Sequence, residues 1–67
     1  MEERITVDGR EYATSLKIAN KIRMLLVRAQ LLRMNHKSDL ADKCEDEAME
    51  ILADALFTLD AYEVEVA

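Results

Sequence analysis

Few residues of this chain have side chains suited to catalysis. Cys44 is the single cysteine and His36 the single histidine, while carboxylates crowd the second half at Asp39, Asp42, Glu45, Asp46, Glu47, Glu50 and Asp54. A thiol acts as a nucleophile when a base or cation beside it lowers its pKa. Cys44, however, falls on the apolar side of a helical pattern, where a free cysteine behaves as a small buried hydrophobe. His36 with Asp39 and Asp42 is the one candidate metal set, but its spacing matches no established ligand pattern, and acids in a helix's first turn have a structural role of their own. Acid/base work by the remaining carboxylates requires groups converging in a cleft, for which a two-helix chain leaves little room. We read a non-enzymatic protein, with no cofactor and no metal.

Charge is distributed more tellingly than catalytic side chains. Residues 12–38 hold six basic and no acidic residues, and 39–67 hold one basic and ten acidic. In one arrangement the two helices neutralise each other across the hairpin or across a dimer interface. In another, the basic row Lys17, Lys21 and Arg28, with Arg23 on the opposite border, contacts nucleic-acid phosphates. The net charge of −5 weighs against that second arrangement, since the protein's own carboxylates repel a polyanion. In a third, the acidic helix contacts a basic partner such as a polymerase, repressor or nuclease.

The elements that carry these residues read as follows. Ile5-Thr6-Val7 followed by Asp8-Gly9 predicts a short extended N-terminal arm over residues 1–11. Asp8 and Glu11 also fit a capping box, and Thr14 or Ser15 is a further candidate helix cap. Over 12–35, Ile18, Ile22, Leu25, Ala29 and Leu32 recur at helical spacing, widened by Ala19 and Leu26. Ala13, Leu16, Met24, Val27, Leu31 and Met34 form a second apolar strip on the opposite side, which a two-layer monomer cannot cover. Ser38 or Asp39 caps a second helix over 39–61, with an apolar arc of Leu40, Ala41, Cys44, Ala48, Met49, Ile51, Leu52, Ala55, Leu56 and Leu59. Phe57 stands apart, among acids. Tyr12 and Tyr62 fall at one end of the hairpin, where they are expected to cap the core. Over 62–66 apolar and acidic residues alternate, as in a strand pairing with Ile5–Val7 or in a fraying helix end.

The expected fold is all-α: an antiparallel two-helix hairpin with an extended arm, assembled into a four-helix bundle dimer or a larger oligomer. A chain of 67 residues with one cysteine builds a core of only about 3–5 kcal/mol, and assembly is the usual remedy. The first residues lack the basic and apolar regions of a signal peptide and no run is long enough to span a membrane, so the expected compartment is the cytoplasm. Ala41-Asp42-Lys43-Cys44-Glu45, just after the interhelical turn, resembles the second helix of the Rop family, dimeric helical hairpins that bind paired RNA loops in plasmid copy control. The resemblance implies the hairpin architecture but not the RNA contacts. With the turn aligned, that family's contact positions fall on Leu16, Asn20, Met24 and Leu31, of which only Asn20 is polar. In general character the chain is also similar to short acidic early-region bacteriophage proteins and to small helical secretion chaperones. The expectation is a regulatory or adaptor protein, phage- or mobile-element-encoded, that binds another protein through Met24, Val27, Leu31, Met34 and Phe57. The alternative is a nucleic-acid binder using Lys17, Lys21, Arg23 and Arg28.

Overall fold

Asp8 and Gly9 have φ angles of 51° and 78°, the two left-handed residues of a tight hairpin turn whose twist matches that of paired strands. The chain therefore doubles straight back instead of extending as an arm. In the computed structural model, which describes residues 2–65, β1 (Glu2–Val7) pairs antiparallel with β2 (Arg10–Ser15), Val7 opposite Arg10 and Glu2 opposite Ser15. Helix α1 (Leu16–Met34) and helix α2 (Ser38–Phe57) follow, and β3 (Ala61–Glu63) returns to the free side of β2. The result is a three-stranded antiparallel sheet, ordered β1-β2-β3, under a helical hairpin.

This corrects the all-α expectation: helices hold 61% of the described residues but strands hold 23%. Tyr12-Ala13-Thr14-Ser15 is strand, not the first turn of the basic helix. The tight turn forces the pairing, and the side chain of Ser15 caps the helix by accepting a hydrogen bond from the Ile18 amide at 3.3 Å. Thus Ala13 belongs to the sheet and not to the second apolar strip. The acidic helix stops at Phe57 rather than at 61 because the next residues turn into a strand. That strand's partner is β2 and not Ile5–Val7, with Ala61 opposite Thr14 and Glu63 opposite Tyr12. At the start of α2 neither Ser38 nor Asp39 is the cap; that position is Lys37, which makes no side-chain capping bond.

Alternation in the strands assigns the two faces of the sheet. Ile5, Val7, Tyr12, Thr14 and Ala61 point inward and are buried. They meet Ala19 and Ile22 of α1 and Ala48, Leu52 and Ala55 of α2, with Ile18, Leu25, Leu26, Ile51 and Leu56 packed at the margin. Among the described residues, Ile22 and Leu52 are the largest side chains buried completely. Much of the rest is alanine: Ala41, Ala48 and Ala55 recur every seven residues on one side of α2 and face Ala19, Ile22 and Ala29 of α1, all of them buried. Side chains this small bury only when the two helices pack closely. Buried Thr14 donates its hydroxyl to the Asp60 carbonyl at 2.9 Å, tying β2 to the corner between α2 and β3.

Both helices end in the same hydrogen-bonded motif. After α1, the Lys37 amide bonds to Leu32 O at 2.8 Å and the His36 amide to Arg33 O at 3.0 Å; after α2, the Asp60 amide bonds to Ala55 O at 2.8 Å and the Leu59 amide to Leu56 O at 3.3 Å. This bond pair requires a left-handed residue, usually glycine. Here it is His36, with φ 59°, and Leu59, with φ 64°. Without glycines the two chain reversals carry little sequence signal, so Leu59 reads as part of the apolar arc although it is 88% exposed.

On the open face of the sheet, Tyr62 stands beside Ala13 in register and reaches across β2 to donate a hydrogen bond to Glu2 Oε2 at 2.8 Å. Tyr12 and Tyr62 thus lie on opposite faces of the sheet, only Tyr12 being in the core. The Glu2 carboxylate holds the Tyr62 phenol above its ordinary pKa, first through the hydrogen bond and then through its charge.

Three outcomes follow from this packing. Ala48→Leu overfills the helix contact and lowers stability by about 1–3 kcal/mol, measured by urea denaturation. Leu59→Gly relieves a left-handed leucine without loss of packing and raises stability by up to about 1 kcal/mol, visible in the same denaturation midpoint. In an alkaline absorbance titration Tyr62 ionises later than an unperturbed phenol. Because the folded-state pKa is the raised one, the associated stability is present below the unfolded phenol's pKa and is lost as pH rises through the folded value; in Glu2→Gln the upward shift shrinks.

Candidate protein interface

The basic helix presents two unequal sides. Ile22, Ala29 and Ala19 fall toward α2 and the sheet and are buried, as the first apolar series predicts. The second series points away from both. Met24 is 64% exposed, Val27 and Leu31 each 55% and Met34 76%, with Leu16 at 49% on the same side. Spacings of three, four and three from Met24 through Val27 and Leu31 to Met34 place these side chains in one row along the outer face. Arg23, Met24, Val27, Arg28 and Leu31 line a shallow, mostly apolar hollow on this row.

Cations border the row. Lys17, Lys21 and Arg28 lie on one side, and Arg23 with Gln30 on the other. Arg23 is held down to the sheet edge: its guanidinium donates to the Arg4 carbonyl at 2.8 Å and lies 3.4 Å from Glu3 Oε2. Among the described residues no carboxylate comes within 4 Å of the charged nitrogens of Lys17, Lys21 or Arg28. Lys21, Met24 and Arg28 share a groove with Glu47 and Ile51 of α2, but the lysine, the arginine and Glu47 form no ion pair. Among the described residues, ion pairs across the hairpin are confined to Arg33, which pairs with Asp42 at 2.9 Å and with Glu45 near the interhelical loop.

Helix α2 shows the complementary charge. Asp46, Glu50 and Asp54 are exposed on its outer side, and Phe57, 87% exposed, stands at the end of that acidic face. The structure does not bring Phe57 together with Met24, Val27, Leu31 and Met34; the two sets lie on outer sides of different helices. Leu40, Met49 and Leu59, expected in the core arc, are 47%, 40% and 88% exposed. Phe57 and Leu59 make an apolar corner that the periodicity of α2 could not reveal, because Leu59 lies beyond the helix.

The residues weighed for chemistry stay apart. Cys44 is half-buried on the core side of α2, and His36 is exposed in the left-handed position of the interhelical turn. Among the described residues no three His, Cys, Asp or Glu side chains are arranged to hold a metal ion. No described helix is long and apolar enough to cross a membrane. Comparison of the chain with protein-family models, curated proteins and solved structures finds no match, so the short likeness of 41–45 to the Rop family gains no support and the site rests on its own geometry.

Proposed function

We propose that this chain is a small non-enzymatic regulatory or adaptor protein that acts by binding another protein through the outer face of α1. The observation that supports this is the row Met24, Val27, Leu31 and Met34. It comprises four apolar side chains, each more than half exposed, aligned along one helix. Single exposed apolar residues are ordinary on a protein surface, but a contiguous row bordered by charge marks an interaction surface. Helix-in-groove recognition uses this spacing. The fold makes the row more conspicuous, since the sheet covers the inner face of the hairpin and leaves the outer face bare.

The nucleic-acid alternative draws on the same helix, through the uncompensated Lys17, Lys21 and Arg28. A net charge of −5 and the acidic face of α2 oppose it, and the apolar row between the cations offers nothing to a phosphate backbone.

Leu31→Glu distinguishes use of the row from mere exposure. Leu31 is 55% exposed, so the change alters folding stability by no more than about 0.5 kcal/mol and circular dichroism stays unchanged. The expected outcome is that light scattering finds the native chain above monomer mass, or pull-down finds it holding a protein partner, and that the variant loses whichever of the two is found. A variant that keeps both its mass and its partner refutes the proposed surface.

A further inference from the structure

We infer that the outer row of α1 takes an acidic amphipathic helix of another protein, in a two-helix packing in which carboxylates of the partner flank its apolar seam. This rests on the reading of the row as a protein-binding surface and adds the chemistry of the occupant.

The row has the periodicity of a helix-pairing seam. Counting back from Met34 by three and four passes through Leu31, Val27 and Met24 to Asn20, all on one side of α1 and all exposed. In such a seam the residues immediately beside the core positions set partner choice and orientation by charge. Here those positions are Lys21 and Arg28 along one border and Arg23 and Gln30 along the other: three cations, one neutral residue and no anion. A second copy docking its own α1 would set cation against cation in either orientation. A partner with Glu or Asp at its flanking positions meets Lys21 and Arg28, neither of which is engaged by a carboxylate among the described residues. The field of this border also speeds encounter with an acidic helix and slows encounter with a basic one.

The chain's own acidic helix does not fit the seam. The outer row of α2 at comparable spacing is Asp46, Glu50, Ala53 and Phe57, so docking it would bury carboxylates at two of four seam positions. Asn20 adds a polar seam position, which fixes the register of an incoming helix.

The test uses the full chain and two labelled helical peptides, three to four heptads long, with leucine at the seam positions. One carries glutamate at the flanking positions and the other lysine. Fluorescence anisotropy at low salt is expected to show the glutamate peptide binding at least about tenfold more tightly, with the difference shrinking at high salt as charges are screened. Lys21→Glu combined with Arg28→Glu is expected to close or invert the preference, and Leu31→Glu to abolish binding of both peptides, each with an unchanged circular dichroism spectrum. Equal binding of the two peptides overturns the inference. So does a native dimer that binds neither peptide and is split by Leu31→Glu, or a duplex oligonucleotide bound through Lys21 and Arg28 independently of Leu31. Equal peptide binding or such a dimer leaves the protein-binding surface standing. If instead Leu31→Glu changes neither solution mass nor binding of any peptide, the surface itself fails, and the inference with it.

Discussion

Everything in this fold depends on how closely α1 and α2 pack. A helix side made of Ala41, Ala48 and Ala55 gains burial only if the facing backbone is near, and Ala19 and Ala29 on α1 permit that. Close packing has a consequence for the core. Two helices in contact through alanines enclose few large side chains between them, and among the described residues Ile22 and Leu52 are the largest that are fully buried. The remainder of the hydrophobic stabilisation comes from below. Ile5, Val7 and Tyr12 of the sheet supply the volume that the helix contact lacks, so hairpin and sheet each complete what the other cannot bury alone.

The same constraint explains the distribution of function-bearing surface. Because the sheet covers one face of the hairpin and each helix covers the other's inner side, the outer side of α1 is left without a neighbour. Its apolar residues contribute nothing to this core and still occur at regular spacing. Polarity follows the same division. Arg33 pairs with α2, and Arg23 is drawn to the sheet edge; among the described residues Lys17, Lys21 and Arg28 form no ion pair beside the bare row. The folded molecule therefore presents a basic, apolar-seamed face and a separate acidic face. Individual exposed ion pairs contribute little to stability, and this layout acts mainly on which partners approach and in what orientation.

Legibility in the sequence varied from element to element. The two apolar series of α1 were readable apart from Ala13, which falls in β2, since helical periodicity records both the buried side and the bare one. The acidic character of α2, the position of Phe57 among acids, and Cys44 on the core side were equally plain. The second strand was not. Arg10-Glu11-Tyr12-Ala13-Thr14-Ser15 alternates weakly and contains Ala13 and Glu11, which favour helices as readily as strands; its conformation is imposed by the turn before it and the pairings on both sides. The end of α2 was hidden for another reason. A left-handed leucine closes it where glycine is the usual signal, so the helical pattern runs on through Leu59 with nothing to stop it.

The sequence by itself thus determined two helices of opposite charge, the turn preference of Asp8-Gly9, and an apolar row on the basic helix with no partner in its own pattern. These properties belong to local spacing and composition, which are present before the chain folds. Only the tertiary structure decided that the chain doubles back at Asp8-Gly9 into a sheet, that β3 joins β2 rather than β1, that Tyr62 crosses the open face to Glu2, and that Arg33 ion-pairs with Asp42 and Glu45 of the acidic helix. The contacts of β3 and of the corner before it join residues far apart in the chain, Glu2 with Tyr62 and Thr14 with Asp60, and no local pattern encodes a contact whose two halves meet only when the core closes.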